Sequence, residues 1–139
     1  MRLNDYCSPE EWNKIQEFSK DKETPFLVVD LDIIKQKYQE LMTCFPMAKV
    51  HYAMKANPGQ PVVDLLRDLG SSFDCASIFE LDRVLDSGVD PEKVSYGNTI
   101  KKAGHIKYAY ERGVRLYATD SKADLQNIAE NAPGSKVFV

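Results

Sequence analysis

The stretch Val50-His51-Tyr52-Ala53-Met54-Lys55-Ala56-Asn57-Pro58 decides how the rest of the chain is read. With a strand period of two, Val50, Tyr52 and Met54 share one face and His51, Ala53 and Lys55 the other. The first set is apolar and suits a helix layer. Lys55 then points into the interior of a sheet or barrel, at the C-terminal end of its strand, where α/β proteins place their sites. Ala53, one step below, is small and leaves room for a flat ligand. A lysine in a partly enclosed site loses solvation, which favours the neutral, nucleophilic amine that Schiff-base chemistry needs. By position alone, a lysine that snorkels at a strand end is the plainer reading. Asn57 and Pro58 read as the cap and first residue of the next helix.

Working outward, the chain alternates strands and helices. On the N-terminal side, Ser8-Pro9-Glu10-Glu11 is a helix-start signal, followed by the apolar stripe Trp12, Ile15 and Phe18. Phe26–Asp30 reads as a buried strand, and 32–45 as a helix ended by Pro46. On the C-terminal side the pattern predicts helices over 58–69, 78–86, 101–112 and 122–130. Strands are predicted over 73–76, 94–96, 114–118 and 136–139. Strands separated by helices mean parallel βα units. The count from Val50 onward is about five strands. This is an α/β chain, and two architectures fit it: a doubly wound sheet, complete as it stands, or a (β/α)8 barrel cut after its fifth strand. A full barrel takes ~250 residues. Periodicity cannot choose between them. Because the chain ends on the strand formers Val137-Phe138-Val139, the reading favours a truncated chain.

Composition excludes several classes. The net charge of −3 gives no basic footprint for nucleic acid. No apolar run approaches the ~20 residues of a membrane span. Met1–Tyr6 is followed by no apolar block of the secretory kind. Three widely spaced cysteines, Cys7, Cys44 and Cys75, form neither a metal pattern nor a likely disulfide framework. A cytoplasmic protein without a metal is expected.

Other residues carry weaker signals. Asp74, in the short strand Phe73-Asp74-Cys75-Ala76, is costly to bury unless paired, and a nearby lysine would be a natural partner. Ser77 and Glu80 have the spacing of a capping box, which competes with a ligand role for Glu80. Cys75 reads as a small buried hydrophobe. Asn98, Thr99, Asp120 and Ser121 read as helix caps. Lys101 and Lys102 read as a solvated helix face, and the lone His51 and His105 receive no catalytic role. There is no glycine loop of either nucleotide-binding type.

Four segments together resemble one family: 25–31 (Pro-Phe-Leu-Val-Val-Asp-Leu), 52–58 (Tyr-Ala-Met-Lys-Ala-Asn-Pro), 73–77 (Phe-Asp-Cys-Ala-Ser) with Glu80, and 96–101 (Tyr-Gly-Asn-Thr-Ile-Lys). Their order and spacing are similar to the ornithine/diaminopimelate/arginine decarboxylases, pyridoxal phosphate enzymes of the alanine-racemase-like fold, and most of all to the ornithine and lysine decarboxylase branch. The resemblance implies the N-terminal part of a pyridoxal-phosphate-binding (β/α)8 barrel over 26–139, behind a helical lead-in over 1–25. The strand Phe26–Asp30 would belong to a β-domain completed by C-terminal sequence.

The resemblance further implies that Lys55 holds the cofactor as an internal aldimine, that Ala53 lines its pocket, and that Asp74 and Glu80 stand close by. The implied reaction is decarboxylation of ornithine or lysine to putrescine or cadaverine, for polyamine synthesis, by a head-to-tail homodimer. The family's ring-stacking histidine, phosphate loop, ring-nitrogen glutamate and cysteine–aspartate segment match nothing here and lie C-terminal to Val139 in the family. The isolated chain is therefore expected to be inactive. Other readings are a non-catalytic regulatory relative, a racemase-like or cofactor-carrier protein of the same fold, or a free-standing doubly wound binding domain that ignores pyridoxal phosphate.

Overall fold

The computed structural model describes residues 7–139; the segment Met1–Tyr6 discussed above lies outside them. Two compact units divide the chain, one ending at Asp30 and the other running from Leu31 to Val139.

The first unit contains helix α1, Pro9–Ser19. The Glu11 N–H donates to Ser8 Oγ at 3.2 Å, and the Ser8 N–H donates to Glu11 Oε2 at 2.6 Å. This reciprocal box satisfies two donors that a helix start leaves open. The bonds from the Ser8 backbone and side chain hold the Glu11 carboxyl below its usual range. Phe26–Asp30 forms no strand among the described residues, and Leu27 is 84% exposed. A strand is held by the N–H and C=O groups of a neighbour, and no described residue offers this segment that neighbour.

The second unit runs α2 (Leu31–Cys44), β1 (His51–Ala53), α3 (Gln60–Asp68), β2 (Ser72–Cys75), α4 (Ile78–Asp86), β3 (Val94–Tyr96), α5 (Ala103–Glu111), β4 (Leu116–Ala118), α6 (Lys122–Asn131) and β5 (Lys136–Phe138). The helix after β1 opens two residues later than the sequence suggested. Asn57 Oδ1 accepts the Gly59 N–H at 3.0 Å, making a turn of its own, and Pro61 instead of Pro58 sits in the first helical turn. After β1 the chain makes a single 3-10 turn, Met54–Ala56.

All five strands are parallel, and each pairs with the next in the chain, in the order β1-β2-β3-β4-β5. A doubly wound sheet reverses its order at a switch point. An unbroken sequential order, with right-handed crossovers, puts every connecting helix on the same side. That is the winding of a barrel, and it decides between the two architectures left open above.

The core lies between sheet and helices. Phe73 and Cys75 of β2, Val94 and Tyr96 of β3 and Tyr117 of β4 are buried with Val63, Leu66, Leu81, Val84, Ile106 and Ile128 of the helices. Tyr52 meets Phe73 edge-on at 6.3 Å between ring centroids. The alternate residues, Ala53, Asp74, Ser95 and Leu116, stand on the other face.

Lys101 corrects an expectation. Its side chain is fully buried and pairs with Asp124 Oδ2 at 2.7 Å. Nζ also donates to the carbonyls of Asn98 and Ala118, each at 2.7 Å. All three ammonium hydrogens are used, tying the loop after β3 to the end of β4 and the start of α6. A buried charge needs such partners, and helix α5 starts only at Ala103, leaving Lys101 in the loop. Replacing Lys101 by methionine in the full-length protein would strand the Asp124 carboxylate, at a cost of about 3–5 kcal/mol. Chemical denaturation should show that loss, and Lys101→Met with Asp124→Leu should recover part of it.

Candidate functional site

The strand registers set Ala53 beside Asp74, Asp74 beside Ser95, Ser95 beside Leu116, and Leu116 beside Lys136. One row of side chains therefore crosses the sheet on the face away from the helices. Its neighbours His51, Gly97 and Phe138 complete the lining of a concave space of about 480 Å³ with Ala53, Asp74, Ser95 and Leu116. The alternation read from the sequence put His51 and Ala53 on this face, and there they are.

Asp74 is the charged centre of the row. The expectation of a lysine partner is corrected, because its partner is Ser95, whose Oγ donates to Asp74 Oδ1 at 2.6 Å. His51 Nδ1 lies 3.3 Å from the same Oγ. A hydroxyl has one hydrogen. With that hydrogen on Asp74, Oγ accepts from His51, which places a proton on Nδ1. The order is His51 to Ser95 to Asp74, across three neighbouring strands. Asp74 Oδ2 accepts no hydrogen bond from a described residue.

Gly97 makes room for this carboxylate. A Cβ on Gly97 would fall inside the van der Waals contact distance of both Asp74 oxygens, while its N–H donates to Cys75 O at 2.9 Å. Ser95, Gly97 and His51 were not singled out for a site from the sequence. The signal was their period-two spacing from known positions, but the strand register that unites them is a tertiary fact.

Lys55 stands in the turn after β1 and is exposed. The period-two argument ends at Ala53, because the backbone leaves the extended form there. Enclosure of Lys55 by described residues is thus corrected. Its ammonium makes no hydrogen bond or ion pair with them, and neither Asp74 nor Glu80 reaches it.

Glu80 acts as a helix cap. Its N–H donates to Ser77 Oγ at 3.3 Å, and its Oε2 accepts the Ala76 N–H at 2.6 Å, one residue earlier than the usual box. The carboxylate thereby fixes the loop that follows Asp74. Cys75 is buried; burial, then the charges of Glu80 and Asp74, push its thiol far above the usual range. It is an inert core residue.

Among the expected caps, Ser121 accepts the Asp124 N–H at 3.2 Å. Asn98 does not cap. Its Nδ2 donates to Ala76 O at 3.0 Å and its Oδ1 accepts the Ile100 N–H at 2.9 Å, linking two loops at the C-terminal edge of the sheet. α5 is preceded by Lys102, which gives no side-chain cap. Arg83 Nη1 donates to Pro58 O at 2.6 Å on the same edge.

A sequentially wound parallel sheet with its helices on one side defines part of an α/β barrel. The chain belongs to the pyridoxal-dependent decarboxylases: residues 31–139 match that family's pyridoxal-binding domain. The cofactor of the domain is pyridoxal phosphate.

Lysine/ornithine decarboxylase of Selenomonas ruminantium is 37% identical over 126 residues, covering 91% of this chain and 32% of that protein. Antizyme inhibitor 2 of Xenopus laevis is 35% identical over 114 residues, covering 82% and 25%. The lysine/ornithine decarboxylase of Vibrio vulnificus, solved with cadaverine, superposes with a TM-score of 0.86 at 28% identity, covering 96% of this chain and 36% of that one. The chain thus spans between a quarter and about a third of the length of these relatives.

Gly97→Ala in the full-length protein should cost about 1–3 kcal/mol, as other overpacked sites do, and displace Asp74. Gly104→Ala is the control, since a Cβ there meets nothing within 4 Å. Thermal melts should separate the two.

Proposed function

We propose that the full-length protein decarboxylates a basic amino acid, ornithine or lysine, with pyridoxal phosphate carried on Lys55. The observation that supports this most is Lys55 itself: an exposed ammonium without a partner among the described residues, two residues past Ala53 at the C-terminal end of β1. The residues present fit a flat cofactor: Ala53 and Gly97 leave space on either side of Asp74, and Asp74 offers an oxygen to which no described residue donates.

The geometry supports the following roles. Lys55 would hold the cofactor through Nζ. Ala53 gives the ring space. Asp74 would present Oδ2 to a cationic nitrogen on the substrate or at the Lys55 linkage. Glu80, by holding the Ala76 N–H, keeps the loop after Asp74 in place. When bound, the cofactor supplies the electron sink that lets the bond between the α-carbon and the carboxylate break.

The lysine/ornithine decarboxylases among the relatives, one of them solved with cadaverine and with putrescine, support the substrate class; in our reading the product serves polyamine synthesis. With two sheet edges open among the described residues, this part alone is inactive in our reading. The whole protein works as a cytoplasmic homodimer with its barrel closed. Among the described residues no helix is long and apolar enough to cross a membrane.

The test is borohydride reduction of the full-length protein, followed by peptide mass analysis. A phosphopyridoxyl group on Lys55 is expected. Lys55→Ala should lose it, along with release of carbon dioxide from ornithine and lysine. Cofactor fixed to a different lysine would overturn the assignment. An unmodified Lys55 in a protein that releases no carbon dioxide would favour a regulatory relative, the reading that the likeness to antizyme inhibitor 2 supports.

A further inference from the structure

We propose that Ser95 and His51 are positioning residues that fix the orientation of the Asp74 carboxylate for the cofactor's site. The inference rests on the cofactor reading above and adds two residues to it.

Interior rows of a barrel are ordinarily filled by bulky branched side chains. The row described here has alanine, aspartate and serine in its first three places, with a histidine one step below the alanine. A carboxylate in such a row is costly unless it is held. Asp74 is held on one side by the 2.6 Å bond from Ser95 and confined on another by the Gly97 backbone, where even a methyl group would not fit. Charge-assisted bonds of this length are among the stronger ones. The pairing commits Oδ1 to Ser95 and leaves Oδ2 free for a ligand.

His51 acts one step further back. Ser95 Oγ has a competing acceptor, the Phe73 carbonyl at 3.4 Å. A proton on His51 Nδ1, donated to Oγ, polarises the hydroxyl and turns its hydrogen toward Asp74. Neither residue needs to touch the cofactor. Both act through Asp74, and the group they present it to is a cationic nitrogen at the Lys55 linkage or on the substrate, the ring nitrogen having its partner beyond Val139 in the family.

The experiment uses the full-length apoprotein with pyridoxal 5′-phosphate as probe. Three quantities are read for each variant: the dissociation constant by titration, the visible absorption spectrum of the bound cofactor, and the melting temperature. Ser95→Ala should weaken binding about tenfold, the scale of a lost bond to a charged group, and shift the absorption maximum. His51→Phe should do the same to a smaller degree, about threefold. Ser95→Thr keeps the hydroxyl, and His51→Asn keeps a donor near the place of Nδ1; both should return toward wild type. Ser95→Ala should add nothing to Asp74→Ala, because its effect passes through Asp74.

If Ser95→Ala and His51→Phe only lower the melting temperature, with affinity and spectrum as in wild type, the two residues are structural and the inference fails. Additive losses with Asp74→Ala overturn it too. Should Ser95→Ala not fold, His51→Phe carries the same test. A wild-type protein that takes up no cofactor on Lys55 overturns the reading underneath, whereas an adduct on wild type with unaffected variants overturns this inference alone.

Discussion

Pairing each parallel strand with the next in the chain forces the connecting helices to one side of the sheet. The rest of the structure depends on that constraint. One face of every strand must be apolar, and Phe73, Cys75, Val94, Tyr96 and Tyr117 meet the demand. The other face is released from it. Asp74, Ser95 and His51 can stand there because the helices never cover them, and the register brings them side by side although 21 residues separate Asp74 from Ser95 and 44 separate Ser95 from His51.

The C-terminal edge of the sheet is held by a second set of contacts, each reaching from one βα unit to the next. Arg83 grips the Pro58 carbonyl, Asn98 the Ala76 carbonyl, and Lys101 both Ala118 and Asp124. Every one bonds a backbone carbonyl that a loop would otherwise leave to water. Loops fastened in this way hold a site more tightly than free ones, which matters for an edge where small displacements are expensive. Lys101 is the extreme case, because its charge has no exit to solvent and must keep all three partners.

What the sequence made legible was the part governed by local period. The alternation of strands and helices, α4 to the residue, and the faces of His51 and Ala53 were all readable, since each depends on neighbours a few positions away. Lys101 was misread because its burial depends on Asp124, 23 residues on. Phe26–Asp30 has the composition of a strand, yet composition supplies no partner. Ser95 and Gly97 escaped notice because serine and glycine at a strand end have many uses. Only the register with Asp74 makes one a donor and the other a gap.

The exposure of Lys55 fits the same logic. β1 pairs only with β2, so no described strand lies on the side of Lys55 away from Asp74. Enclosure, and the desolvation that would favour a neutral amine, must then be supplied by groups other than those described. The described residues provide the opposite half: a carboxylate held by Ser95, small residues at Ala53 and Gly97 beside it, and a lysine with no competing partner among them. In the proposed enzyme these halves have separate tasks. One sets the geometry in which the cofactor is received, and the other excludes water once it is there. A site divided in that way needs its carboxylate held before the second half arrives, and the bond from Ser95 to Asp74 is made entirely within the first.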